Sequence, residues 1–129
     1  MENALGFQTT IDFYGCDTDK INSKEFIEEV LVEAAKKMNL TVVKTTIHSF
    51  SPIGVSGVIV IQESHLAIHT WPEYNYVALD FFTCNQAYEL TDGINWLKEK
   101  FEAEKMEISS EKRGNIKKAM TFKQKQINL

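Results

Sequence analysis

The pattern of apolar and polar positions predicts six strands. Residues 7–14 (FQTTIDFY) alternate apolar and polar side chains, the period of a half-buried strand, and Gly15 and Asp17 then supply turn chemistry. Residues 41–50 are rich in β-branched side chains and end at a Ser-Pro-Ile-Gly break. Shorter strands are predicted at residues 57–62, 65–71, 76–84 and 106–110.

Two segments carry apolar residues at helical spacing. In residues 22–39, Asn22 followed by Glu25 fits a capping box, and the apolar face continues as far as Asn39, a suitable C-terminal stop. Residues 86–104 repeat the spacing. This order of strands and helices predicts an α+β fold, a two-layer α/β sandwich with a mainly antiparallel sheet and both helices on one face.

One predicted strand does not alternate. Residues 58–61 (VIVI) are apolar throughout, so a strand there presents hydrophobic side chains on both faces of the sheet. Either the strand is buried within the domain, or the sheets of two chains stack in a dimer. Because a chain of 129 residues has few elements to spare, we expect a homodimer.

The composition is that of one folded domain spanning residues 1–129. The chain is 43% hydrophobic and 25% charged, close to globular averages. Its formal net charge is −4, and the nearest approach to a basic stripe, residues 112–125, is a mixed, Gln-rich tail that we expect to be solvated. Nucleic acid is therefore not an expected partner.

Cysteine use and hydropathy indicate the compartment. Cys16 and Cys84 allow at most one disulfide, and no apolar N-terminal stretch resembles a secretory signal. Apolar runs such as residues 58–61 are far shorter than the ~20 residues of a membrane helix. We expect reduced thiols, a cytoplasmic location and no membrane partner.

Reactive side chains concentrate in residues 63–73 (ESHLAIHTWPE). His65 and His69 have the spacing of a helical metal site, but on a strand they lie ~13 Å apart at ~3.3 Å per residue, so no metal is expected. A hydrolase could use Ser64, His69 and Cys84, but the Gly-x-Ser-x-Gly elbow is missing. A purely structural role, as polar residues at the edge of a sheet, would explain any one of these side chains but not their concentration in one segment.

A longer pattern accounts for the cluster. Residues 50–84 (FSPIGVSGVIVIQESHLAIHTWPEYNYVALDFFTC) combine GVSGV, ESHLAIHTWPE and a downstream FFTC. In this combination the chain resembles the short prokaryotic form of S-adenosylmethionine decarboxylase, a pyruvoyl enzyme of polyamine synthesis. Weaker similarity extends upstream through DFYGCD and the intervening helix.

The resemblance implies a proenzyme that cleaves its own peptide bond between Glu63 and Ser64. Ser64 would attack the Glu63 carbonyl to form an ester. β-Elimination would then free a β chain of residues 1–63 and leave a pyruvoyl group at the start of an α chain of residues 64–129. Because a serine hydroxyl is a poor nucleophile unaided, such a bond must be held in strain, with donors that stabilise the oxyanion.

By the same resemblance, three other side chains take part in the chemistry. Ser56 assists processing, and His69 accepts the α-proton of the ester serine, which suits a group of unperturbed pKa ~6.5. In the mature enzyme the self-generated pyruvoyl group forms a Schiff base with the substrate amine and accepts the electrons released as carbon dioxide leaves. Cys84 then protonates the carbanion, since a thiol of reference pKa ~8.5 is mostly protonated at neutral pH.

The implied substrate is S-adenosylmethionine, with Glu73 holding the ribose hydroxyls and Phe50 stacking on adenine. The product would be the aminopropyl donor for spermidine. Two alternatives stay open: a decarboxylase of arginine or ornithine on the same scaffold, and a catalytically silent paralogue that regulates a partner subunit. Glu73 favours the first activity, and intact Ser64, His69 and Cys84 argue against a silent paralogue.

Overall fold

Six strands form one antiparallel sheet in the computed structural model, which describes residues 4–127. The order across the sheet is β2-β3-β4-β5-β1-β6, so β4 lies between two paired neighbours. The strands are β1 (Ala4–Tyr14), β2 (Val42–Ser49), β3 (Val55–Ile61), β4 (Ser64–Trp71), β5 (Tyr76–Thr83) and β6 (Lys105–Asn115).

The helices supply the second layer of the fold. They are α1 (Thr18–Ile21), α2 (Lys24–Lys37), α3 (Thr91–Lys100) and α4 (Ile116–Ile127), with 3₁₀ turns at Pro72–Tyr74 and Ala87–Leu90. The apolar sides of α2 and α3 share one buried core with the sheet, which includes Leu31, Leu97, Phe81 and Ile59. The predicted α+β sandwich with a mainly antiparallel sheet is confirmed.

The first long helix begins later than the capping box at Asn22 predicts. Ser23 is its N-cap, with the hydroxyl accepting a backbone N–H at 3.1 Å. Asn22 instead ends α1, and its Oδ1 accepts a hydrogen bond from the backbone N of Gly54 at 2.9 Å. The prediction at Asn22 is wrong because an extra helical turn precedes the helix. The stop at Asn39 is confirmed by its left-handed φ of 58°.

The polar C-terminal segment is more regular than its composition indicates. Strand β6 runs as far as Asn115, and α4 follows it directly. Phe7 of β1 pairs with Lys112, so main-chain bonds to β1 extend the strand into a polar sequence. The expectation of a tail over residues 112–125 is therefore wrong in conformation, although the β6 side chains there are exposed as predicted.

The two faces of the sheet have different environments. Ile59 and Ile61 point into the core under the helices, whereas Val58 and Val60 on the other face are each 42% exposed. The strand that is apolar on both faces is confirmed. We call this second side the open face; along β3, β4 and β5 it carries Ser56, Val58, Val60, His65, Ala67, His69, Ala78, Asp80 and Phe82. Within residues 4–127, the helices are too short or too polar to cross a bilayer.

Candidate active site

Strand β4 carries the predicted site residues at its two ends. Ile61 pairs with Ser64, so Gln62 and Glu63 form a tight turn and Ser64 is the first residue of β4. His69 follows five residues later, which corresponds to ~16 Å at ~3.3 Å per residue. One chain therefore holds Ser64 and His69 at opposite ends of the same strand.

Ser64 has an unusual backbone conformation. Its φ is 148°, in a region that residues with a side chain rarely adopt. Neither Gln62 nor Glu63 has a positive φ, so the turn is not one of the primed types whose twist matches a two-residue hairpin. The next residue, Ser64, accommodates this mismatch in twist with its positive φ. The peptide bond between Glu63 and Ser64 thus adjoins a strained position, as the processing hypothesis requires.

Thr41, the residue before β2, holds this turn in place with two hydrogen bonds. Its carbonyl oxygen accepts a hydrogen bond from the backbone N of Gln62 at 2.9 Å. Its own backbone N donates to the Oε1 of Glu63 at 3.1 Å. Both turn residues are therefore bound to a segment outside the hairpin.

Cys84 lies at the Ser64 end of the sheet. His65 pairs with Phe82 on the neighbouring strand, and Cys84 follows Phe82 by two residues. Because the strands are antiparallel, that step runs in the direction of Ser64. The thiol is exposed, with its Sγ 3.8 Å from the Oδ1 of Asn85.

By alternation, the strand predicted over residues 76–84 carries its even-numbered residues, Cys84 among them, on one face, and a hairpin could turn that face toward His69. Strand β5 ends at Thr83, one residue earlier, and the residue opposite His69 is Ala78. The shared face over residues 76–82 is as predicted, but its cysteine end and the histidine are far apart. Alternation shows which side chains of a strand share a face. It does not show which residues of the neighbouring strand lie beside them.

The second cysteine has a different environment. Cys16 is 2% exposed within the core, and burial raises the pKa of its thiol to about 12. A thiol in that setting stays protonated and inaccessible. Of the two free cysteines, Cys84 is the one that can meet a substrate.

At the other end of β4, a serine and a histidine form a pair. Ser56 and His69 face each other across β3 and β4, with Ser56 Oγ 2.9 Å from His69 Nδ1. The contact orients the imidazole and leaves Nε2, on the far side of the ring, for proton transfer. His69 is exposed on the open face. The pairing matches the two residues that the sequence assigned to processing.

A small cavity adjoins the Ser56–His69 pair. Its volume is about 190 Å³, below the ~300 Å³ at which small-molecule sites usually begin. It brings together Phe50, Ser56, His69 and Glu73, which the sequence named, with Ile53, Gly54, Thr70 and Trp71, which it did not. The size indicates one part of a larger site.

Hydrogen bonds from its backbone hold the loop that forms this cavity. Val55 N donates to the hydroxyl of Thr70 at 2.9 Å, and Gly54 N donates to the Asn22 side chain. Thr70 is 6% exposed, so its hydroxyl has little access to water. The sequence signal that could have identified Thr70 is its position directly after His69.

An aromatic surface continues from the cavity and shares Trp71 with it. Tyr14, Trp71, Tyr74 and Tyr76 line a more open depression of about 420 Å³. The Tyr76 hydroxyl donates to the Asp12 carboxylate, and burial together with that bond raises the pKa of Tyr76. Sequence reasoning missed this surface because alternating aromatic residues are equally typical of a core strand.

Histidines do not converge on a metal site. His65 lies 6.2 Å from the Phe82 ring, four residues along β4 from His69. In the part of the chain that the structure describes, no three His, Cys, Asp or Glu side chains are grouped for metal binding.

Fold and site together define an α+β protein with a strained Glu-Ser junction and a serine–histidine pair on an open sheet face. A family model described as S-adenosylmethionine decarboxylase matches residues 7–114. The chain belongs to the S-adenosylmethionine decarboxylase family. A protein of Acidithiobacillus ferrooxidans named S-adenosylmethionine decarboxylase proenzyme is 46% identical over 88% of this chain and 85% of its own length.

Other relatives agree with this assignment. A Clostridium kluyveri protein of the same name is 42% identical over 97% of this chain and 99% of its own length. The crystal structure of the adenosylmethionine decarboxylase from Aquifex aeolicus matches with a TM-score of 0.78 and 32% identity, covering 88% of this chain and 93% of that one. A Trypanosoma brucei AdoMetDC structure, at 18% identity and a TM-score of 0.60, shares the fold.

Proposed function

We propose that this chain is a proenzyme that cleaves itself between Glu63 and Ser64 and becomes a pyruvoyl-dependent S-adenosylmethionine decarboxylase. Its products would be carbon dioxide and decarboxylated S-adenosylmethionine, the aminopropyl donor for spermidine. The observation that carries the proposal is the φ of 148° at Ser64, the residue whose hydroxyl must attack the preceding carbonyl. Relatives named as decarboxylase proenzymes support it.

Self-cleavage follows from the side chains at this junction. The Ser64 Oγ adds to the Glu63 carbonyl carbon, the C–N bond breaks, and the hydroxyl proton passes to the freed amine, leaving an ester. Removal of the Ser64 α-proton and cleavage of the ester C–O bond then release the Glu63 carboxylate. The dehydroalanine left behind tautomerises and takes up water, which expels ammonia and leaves the ketone.

His69 is the group suited to remove the α-proton, but it lies ~16 Å along the strand from Ser64 of its own chain. A two-fold dimer places the same patch of each chain against the other, so one end of β4 can lie over the opposite end in the partner. We therefore propose two composite sites per dimer. Each site combines Ser64 and Cys84 of one chain with Ser56, His69, Phe50 and Glu73 of the other.

The open face supports this assembly. Val58 and Val60 are each 42% exposed, an apolar strip that burial in a dimer would remove from water. The cavity at the His69 end, at about 190 Å³, is too small for the whole substrate, as half of a composite site should be.

The residues present fit a pyruvoyl group at the start of β4. The ketone would supply an acceptor for the substrate amine and for the electrons released with carbon dioxide. Cys84, exposed at that end of the sheet, would donate the proton that completes the product. From the partner, the Glu73 carboxylate would accept hydrogen bonds from ribose hydroxyls and Phe50 would stack on adenine.

Intact mass spectrometry of the purified protein tests the proposal. The 129 residues should divide after Glu63 into chains of 63 and 66 residues, the second beginning with pyruvoyl. The processed protein should release carbon dioxide from S-adenosylmethionine and not from arginine or ornithine. A folded protein that keeps one chain with an unmodified serine would contradict the proposal. A cytoplasmic location remains a prediction.

A further inference from the structure

The turn that contains the scissile bond is held from outside the hairpin by Thr41. The backbone N of Thr41 donates to the Oε1 of Glu63 at 3.1 Å, and its carbonyl accepts from Gln62 at 2.9 Å. We call these two hydrogen bonds the Thr41 clamp. Glu63 is thus bound through its side chain immediately before the bond that must break.

A strained backbone position persists only where its surroundings hold it. Ser64 lies between two restraints: pairing with Ile61 in the β3–β4 ladder on one side, and the clamped Glu63 on the other. With Glu63 released, the two-residue turn could relax toward an ordinary hairpin and the φ of Ser64 toward its usual region. The hydroxyl would then lose its approach to the preceding carbonyl.

We infer that the Glu63 side chain is a positioning residue for self-cleavage, acting through its bond to the Thr41 backbone rather than on the reacting atoms. The inference rests on the proposed function. It assigns the clamp to the first step, ester formation, because that step depends on the angle between the Ser64 Oγ and the Glu63 carbonyl. The later proton removal, assigned to His69, does not require the turn to stay strained once the bond has opened.

The test is the rate of processing of newly purified full-length proenzyme, followed by mass spectrometry with and without hydroxylamine, which cleaves esters and spares amides. Glu63→Ala removes the acceptor and should slow processing ~10-fold while lowering the ester fraction, since a charge-assisted bond to the backbone is lost. Glu63→Gln keeps an acceptor oxygen and should restore most of the rate. Thr41→Ala, which retains the backbone donor, is the matched control and should process like wild type.

Every other outcome contradicts either this inference or the proposed function. If Glu63→Ala processes at the wild-type rate, or Glu63→Gln is as slow as Glu63→Ala, the clamp is not the cause. Ester that accumulates in Glu63→Ala would place the defect in elimination and overturn the assignment. Wild-type protein that forms neither ester nor two chains would instead refute the proposed function itself. Thermal unfolding of all four proteins separates a positioning effect from general loss of stability.

Discussion

The two ends of β4 differ in how far they are prepared for chemistry. At the start, Ser64 has a strained backbone and Cys84 nearby is an exposed thiol. At the far end, Ser56 and His69 are already bonded to each other beside a cavity. In the proposed function, one end holds the bond that breaks and the other holds the histidine that transfers protons. Neither end is complete, which is the reason to expect that two chains supply each site.

The largest effect should come from Ser64→Ala. Without the hydroxyl no ester can form, so the chain should remain one piece of 129 residues and show no decarboxylation. Intact mass spectrometry and release of labelled carbon dioxide measure the two losses. Two chains appearing in this variant would place the cleavage chemistry elsewhere.

Loss of His69 tests whether the two ends meet in one chain or between chains. His69→Ala alone should process ~10²- to 10⁴-fold more slowly, with the hydroxylamine-sensitive ester accumulating because elimination lacks its base. Co-expression with Ser64→Ala creates mixed dimers in which the His69→Ala chain meets an intact histidine from its partner. About half of the His69→Ala chains should then be cleaved at equal expression.

The control for that experiment is co-expression of His69→Ala with itself, distinguished by a mass tag. Cleavage that stays absent in mixed dimers would mean that His69 acts on its own Ser64, and the strand would have to rearrange to bring them together. Such a result would remove the composite site and leave the dimer as a structural assembly.

A smaller effect is expected at Cys84, because its role begins after processing. Cys84→Ala should cleave nearly normally and turn over ~10²-fold more slowly. Cys16→Ala is the matched control: turnover should be kept, while the free energy of unfolding falls by ~1 kcal/mol as a buried group is lost.

Thiol labelling tests the difference between Cys84 and Cys16 by a second measurement. At mildly alkaline pH, iodoacetamide should modify Cys84 in the folded protein and leave Cys16 unreacted, because burial raises the pKa of Cys16 to about 12. Substrate should protect Cys84. Equal labelling of both thiols, or normal turnover of Cys84→Ala, would assign the proton donor to another residue.

The smallest expected effect concerns the open face. The double change Val58→Asp with Val60→Asp places charges on the apolar strip and should weaken the dimer. Light scattering should then detect monomer in equilibrium with dimer, and processing should fall ~10-fold with the dimer fraction. Leu5→Asp is the control, since Leu5 is 62% exposed and belongs by alternation to the opposite face of β1. Full processing by a stable monomer would show that one chain suffices.

The regular elements were predictable because they depend on local periodicity. Alternation over residues 7–14 and helical spacing up to Asn39 each depend on side chains a few residues apart, and both appear in the structure. The polar strand β6 was predicted too short, since its last residues are strand only through pairing with β1. A pattern of side chains does not indicate which distant segment a strand will pair with through main-chain hydrogen bonds.

The sequence by itself determined the reactive residue types, the faces of the strands and the family, because motifs and periodicities are local properties of the chain. Only the tertiary structure decided that Ser64 and His69 lie at opposite ends of β4, that Ser64 is strained, and that Thr41 holds the turn. These features depend on hairpin register and on contacts between residues far apart in the sequence. Such contacts form when strands pair and helices pack, since no local pattern specifies which distant backbone group will meet which side chain.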